Sequence, residues 1–176
     1  CRRRIHLRSF LKNYPKPHGF RVNFGVIDAR GNGAYFETNN FTYVCYDVND
    51  ARVAPNGYLI RTNYSLSGLQ RKGHGYIRYK TVEKILERNG SKKLDINFLL
   101  NSVCLSLENS LNGQKLQDFE NAREHEKHYM YFQDCINRYS TSAAAVIQGV
   151  KNNEDSGMTT MWTIIGFPLT SVAIPV

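Results

Sequence analysis

Four cysteines, Cys1, Cys45, Cys104 and Cys135, are the strongest nucleophiles in this chain, and the thiolate is the form that reacts. Their spacing excludes one chemistry at once. No two form a C-x-x-C pair, so the paired ligands of a zinc ribbon are missing. Cys104 falls in an apolar helical pattern and Cys45 in a strand pattern, where each reads as a buried small hydrophobe. Nothing in the spacing requires a disulfide, and the redox compartment stays open. His125-Glu126-Lys127-His128 is the other cluster with ligand chemistry. It lacks the H-E-x-x-H spacing that sets two imidazoles on one helical face around a base. His125 and His128 could share a face at i, i+3, but no third ligand is near in sequence, so no metal is expected and no cofactor either. Asp28 opens a Gly-rich turn, Asp28-Ala29-Arg30-Gly31-Asn32-Gly33, where an aspartate bonds its own backbone.

The elements that must position such residues follow from periodicity. Residues 1 to 13 read as a helix with Ile5, Leu7, Phe10 and Leu11 apolar, and Tyr14-Pro15-Lys16-Pro17 stops it. Val22, Phe24, Val26 and Ile27 lead through the Asp28 turn to Ala34-Tyr35-Phe36-Glu37, a β-hairpin pattern. A third strand is expected over Phe41 to Val48 and a fourth over Tyr58 to Thr62. Tyr35, Phe36, Phe41, Tyr43 and Tyr46 are expected in the core and in pocket walls. Two helices follow: Val82 to Asn89, with Thr81 as N-cap and Gly90 as stop, and about Asp95 to Glu108. Three strand-like stretches then run over His128 to Asn137, Thr141 to Lys151 and Met158 to Ile165, with Trp162 expected in the core. Strands, then helices, then strands make an α+β fold of layered type.

Composition sets outer bounds. Of 176 residues, 41% are apolar and 22% charged, enough apolar content for a packed core. No apolar run approaches the roughly 20 residues of a membrane span, so none is expected. The first arginines have no apolar region behind them, which argues against a signal peptide within the chain. Periplasmic, secreted and cytoplasmic locations all remain open. The net charge is +8, and residues 1 to 30 carry eight basic side chains against one acid, Asp28. A basic excess gathered in one leading segment, residues 1–20 above all, is not the basic face with stacking aromatics that nucleic acid requires, so no nucleic-acid partner is expected.

Four stretches, in order, resemble one family. They are Asn23-Phe24-Gly25-Val26-Ile27-Asp28-Ala29-Arg30-Gly31 with its following strand, Gly57-Tyr58-Leu59-Ile60-Arg61-Thr62-Asn63-Tyr64, Gly73-His74-Gly75-Tyr76-Ile77-Arg78-Tyr79, and Asn137-Arg138-Tyr139-Ser140-Thr141-Ser142-Ala143. Together they resemble the cysteine N-terminal-nucleophile (Ntn) hydrolases, in the group of choloylglycine hydrolases and penicillin-forming acyltransferases. The resemblance covers nearly all of residues 1–176.

That resemblance implies an αββα four-layer sandwich, of which this chain supplies the larger C-terminal part. It implies hydrolysis of linear, non-peptide amide C–N bonds, such as N-acyl amino acids or bile-acid conjugates, by a cysteine whose own α-amine is the tethered base. It places Asn63 as a donor to the oxyanion and Arg138 as support for that oxyanion or for a substrate carboxylate, which its fork binds in two-pronged fashion. Cys1 is the candidate nucleophile by position. Asp28 nevertheless follows it by only 27 positions, and the strand and turns that the family carries in between are missing. Two readings stay open: Cys1 is a displaced nucleophile, or it begins a helix and the catalytic cysteine lies in a complementary N-terminal chain of the same precursor. A small-molecule amide is the expected ligand, and a homo-oligomer is compatible. A non-catalytic subunit or binding module that retains the fold is the alternative.

Overall fold

The structure, a computed structural model, describes residues 2–19, 22–28, 30–68, 75–90, 94–115, 125, 127–151 and 153–176, the backbone alone for 2–6. Two units divide the chain. Cys1–Leu59, Ser65–Leu69 and Gly149–Thr159 make the first, and Ile60–Tyr64, Gln70–Gln148 and Thr160–Val176 make the second.

In the first unit, helix α1 spans Arg2–Asn13 and ends ahead of the two prolines, as proline chemistry requires. Strands β1 (Asn23–Ile27), β2 (Gly33–Thr38) and β3 (Tyr43–Asp47) form an antiparallel sheet in that order. The register sets Phe24 opposite Phe36 and Phe36 opposite Cys45, so these three side chains share a face. On that face Leu11, Ala34 and Phe36 are buried, with Leu7, Phe24, Val26, Tyr43 and Cys45 packed around them. Leu11 and Phe36 have no exposed surface, and burying each contributes about 2–3 kcal/mol. Phe41 does not join this core. It precedes β3 in a turn held by the Asn39 side chain and is 59% exposed.

The β1–β2 connection is built by Asp28. Its Oδ1 accepts from the backbone N–H of Arg30 at 2.9 Å and of Asn32 at 3.0 Å, and Gly31 takes a left-handed φ of 73°. Beyond the hairpin, Glu37 of β2 is buried and its carboxylate gathers the segment 65–67. Oε2 accepts from the Ser65 hydroxyl (2.8 Å), the Ser67 N–H (2.8 Å) and the Ser67 hydroxyl (2.6 Å), while Oε1 accepts from the Leu66 N–H (3.2 Å).

The second unit holds helix α2, Tyr76–Asn89, entered through Gly75 at φ 90° and ended at Gly90 at φ 61°. Thr81 is therefore not the N-cap. It is buried in mid-helix, donating its hydroxyl to the Ile77 carbonyl (3.0 Å) and accepting from the Ser110 N–H (3.2 Å). Helix α3 is short, Ile96–Phe98, capped by Asp95, and continues as a π-helical stretch over Leu99–Cys104. The expected regular helix to Glu108 is thus a helix of mixed pitch that ends at Cys104. Past it, the chain pairs with residues 135–137: the Asn137 N–H donates to the Ser106 carbonyl (3.0 Å) and the Cys135 thiol to the Leu107 carbonyl (3.2 Å). Arg88 grips Glu108 with both terminal guanidinium nitrogens, at 3.0 and 2.5 Å.

Strands β4 (Ala143–Gln148), β5 (Thr160–Ile165) and β6 (Ala173–Pro175) close the second unit as an antiparallel sheet in chain order. One face buries Val146 and Ile164, with Trp162 half-buried beside them, whereas Ile147, Ile165 and Ile174 lie on the exposed face. Two expected strands are absent: Tyr58 to Thr62 and His128 to Asn137 are irregular chain, because their backbone groups pair in turns and loops and not in a ladder. Among the described residues, no helix is long and apolar enough to cross a membrane.

Candidate functional site

The irregular segment Ile60–Tyr64 and the start of α2 lie in close contact within the second unit. The Thr62 hydroxyl donates to the Gly75 carbonyl at 2.9 Å and accepts from the Tyr64 N–H at 3.2 Å. Tyr64 is buried and meets the Tyr76 ring edge-on at 5.2 Å between centroids. Gly75 has a left-handed φ, and a Cβ there would lie 2.9 Å from the Thr62 hydroxyl and 3.0 Å from both the Asn63 nitrogen and the Arg78 guanidinium. Only glycine permits this approach.

The approach brings Asn63 to Arg78, whose Nη2 donates to Asn63 Oδ1 at 2.6 Å. A guanidinium has only donors, so the amide oxygen must face it, and the Asn63 NH₂ group is turned away from Arg78. Asn63 itself is exposed. Arg78 is only 9% exposed. Burial and the neighbouring positive charge of Arg138 hold its pKa below the ordinary arginine value, and Asp134 opposes them in part. Arg138 follows Asn137 in a tight turn, where its N–H donates to the Thr141 hydroxyl (3.1 Å) and its carbonyl accepts from the Thr141 N–H (2.8 Å). The Asn137 side chain is fully buried, and neither of its amide atoms has a hydrogen-bond partner among the described residues.

The thiols are set apart from this cluster by their chemistry. Cys135 is fully buried and its pKa is pushed up to about 11 by desolvation and the adjacent Asp134 charge. Burial raises the Cys104 thiol as well. Neither is a ready thiolate near neutral pH. Cys45 is half-buried, not core as expected, and its sulfur accepts from Arg8 Nη2 at 3.1 Å. All three are free thiols. Cys1 lies outside the described residues.

Of the residues singled out from sequence, Asn63 and Arg138 come into one neighbourhood through Arg78, which sequence reading overlooked. Its signal was present: Arg78, Thr81 and Ile85, spaced i, i+3 and i+7, are all buried on one side of α2. An arginine at an inward helical position is unusual enough to mark. His125 and His128 are exposed, and among the described residues no group of three or more His, Cys, Asp or Glu could hold a metal. A cavity of about 360 Å³ opens beside the π-helical stretch, lined by Asn101, Ser102, Leu105 to Glu108 and Leu169, and none of Asn63, Arg78 and Arg138 lines it. The chain matches no protein family, no curated protein and no solved structure.

Proposed function

We propose that this chain is the larger, C-terminal part of a cysteine Ntn hydrolase of the choloylglycine hydrolase and penicillin acyltransferase group, cleaving linear amide C–N bonds. The supporting observation is the orientation of Asn63. Its oxygen is committed to Arg78 and its NH₂ group is presented outward from an exposed position. In the proposed reaction a cysteine thiolate attacks the amide carbon, and the carbonyl oxygen takes the negative charge. The Asn63 amide donates to that oxygen. Collapse of the intermediate breaks the C–N bond, the amine leaves with a proton, and water then hydrolyses the thioester. Arg138 supports the oxyanion or a substrate carboxylate. The nucleophile is Cys1 or the first residue of a complementary chain from the same precursor. The exposed apolar residues of the second sheet, Ile165 at 79% above all, favour a partner segment that covers them. A non-catalytic module with the same fold is the second reading, in keeping with raised pKa values that leave neither Cys104 nor Cys135 a ready thiolate.

The deciding experiment is steady-state kinetics of the natural assembly on N-acyl amino acids and bile-acid conjugates, after an intact-mass measurement of its polypeptides. Asn63→Ala should lower kcat about 10²–10³-fold with little change in KM, because a neutral donor matters most once charge develops on the oxygen. A folded Asn63→Ala protein with full turnover removes the oxyanion assignment, and a wild-type assembly without turnover leaves the binding-module reading standing.

A further inference from the structure

The π-helical stretch Leu99–Cys104 is the least ordinary backbone in the second unit. That pitch is rare and frequently marks functional sites. Here it borders the cavity of about 360 Å³, a volume within the roughly 300–1,000 Å³ of small-molecule pockets. The lining is graded in burial. Asn101, Ser102 and Leu169 are exposed and form the mouth, Leu105, Ser106 and Leu107 are half-buried, and Glu108 is nine-tenths buried. The three leucines give the cavity an apolar wall. Asn101 donates its NH₂ group to Asn97, at 3.0 and 2.6 Å, so its amide oxygen is left as an acceptor. Glu108 is the one charged residue of the lining, and among the described residues no lysine, arginine or histidine joins it there. Its partner Arg88 stands outside the lining, with a side chain 51% exposed against 10% for Glu108. Water therefore screens the cation more than the carboxylate, and the cavity keeps a negative potential. The helix of mixed pitch over 96–104 also ends here, and its last carbonyls add partial negative charge.

We infer that this cavity binds a small primary ammonium that carries an apolar body. The ammonium lies toward the buried Glu108 end, and an alkyl or aryl body packs on Leu105, Leu107 and Leu169. A carboxylate ligand would meet Glu108 and be repelled. A neutral alcohol would gain the apolar contact without the charge. None of Asn63, Arg78 and Arg138 lines the cavity, so the site stands whatever the chain catalyses.

The test is calorimetric titration of the intact protein at pH 7 with 2-phenylethylamine, cationic at that pH, and with 2-phenylethanol and 3-phenylpropanoate, which have a similar shape. The amine should bind at least about tenfold more tightly than the alcohol, the measure of a charge-assisted contact. That gap should narrow at high salt, and the anion should not bind. Leu169→Trp adds bulk at the mouth from an exposed position, and should weaken the amine at least about tenfold with the melting temperature unchanged. Glu108→Gln should remove the preference for amine over alcohol. A glutamate that serves only to hold Arg88 would lower the melting temperature on that change and leave the preference intact. Should Glu108→Gln fail to fold, Leu169→Trp and the comparison of amine with alcohol decide. Equal binding of amine and alcohol, undiminished binding in Leu169→Trp, or ammonium chloride bound as tightly as the amine would each overturn the site.

Discussion

Replacing Glu37 by glutamine should destabilise the first unit by an amount that the hydrogen bonds set. Among the described residues the carboxylate accepts from Ser65 and twice from Ser67 on Oε2 and from Leu66 on Oε1. Glutamine has a single acceptor oxygen. Its best placement puts that oxygen where Oε2 was, keeping the contacts from Ser65 and Ser67 but without the charge. The NH₂ group then faces the Leu66 N–H, donor against donor. Losing charge assistance on three bonds at a few tenths to 1 kcal/mol each, and one bond outright, comes to about 2–4 kcal/mol. For a chain of this length that corresponds to a fall in Tm of roughly 5–15 °C. The pH dependence is the sharper assay. Burial raises the Glu37 pKa, and the hydrogen bonds from Ser67, Ser65 and Leu66 more than offset it, so the net position is below the ordinary carboxylate value. A carboxylate with a depressed folded pKa contributes stability above its unfolded pKa and loses it as the pH falls through the folded one. The Tm gap between wild type and Glu37→Gln should therefore be full at pH 7 and close as the solution is acidified below about pH 4. A gap under about 0.5 kcal/mol at pH 7, or one unchanged at acid pH, would refute the reasoning.

The thiols and Gly75 offer further checks. At pH 8 Cys135, with its pKa raised to about 11, should react with iodoacetamide more slowly than a free thiol by about two orders of magnitude, read by peptide mass mapping, and Cys104 should also be slow. If Cys1 is the nucleophile it should label first, and blocking it should abolish turnover. Gly75→Ala places a methyl group against Thr62, Asn63 and Arg78 at left-handed φ, and should cost about 1–3 kcal/mol in thermal melting while lowering kcat through the displaced Asn63. An alanine variant with wild-type Tm would show that the approach of residues 62–63 to α2 is not fixed there.

Local chemistry alone determined several parts of this protein. The prolines after residue 14 end α1 because they lack the amide, the Asp28 turn closes on its own backbone, and Gly90 stops α2 in a conformation that side chains resist. Each is settled within a few residues, so periodicity and turn chemistry suffice to read it. Tertiary structure decided the rest. Tyr58 to Thr62 has strand composition but, among the described residues, no neighbouring strand to pair with, and the Thr62 hydroxyl donates instead to the Gly75 carbonyl. Thr81 looks like a cap because threonine often is one, yet the helix begins a turn and a half earlier, at a glycine whose left-handed φ appears only in the folded chain. The π-helical pitch of Leu99–Cys104 likewise has no local signature. Asn63 and Arg138 were legible as polar residues within motifs, but their link was not. Arg78 joins them through a 2.6 Å contact on one side and a shared field on the other, across 15 and 60 positions of sequence. Contact over such separations is a property of packing, and no pattern along the chain encodes it.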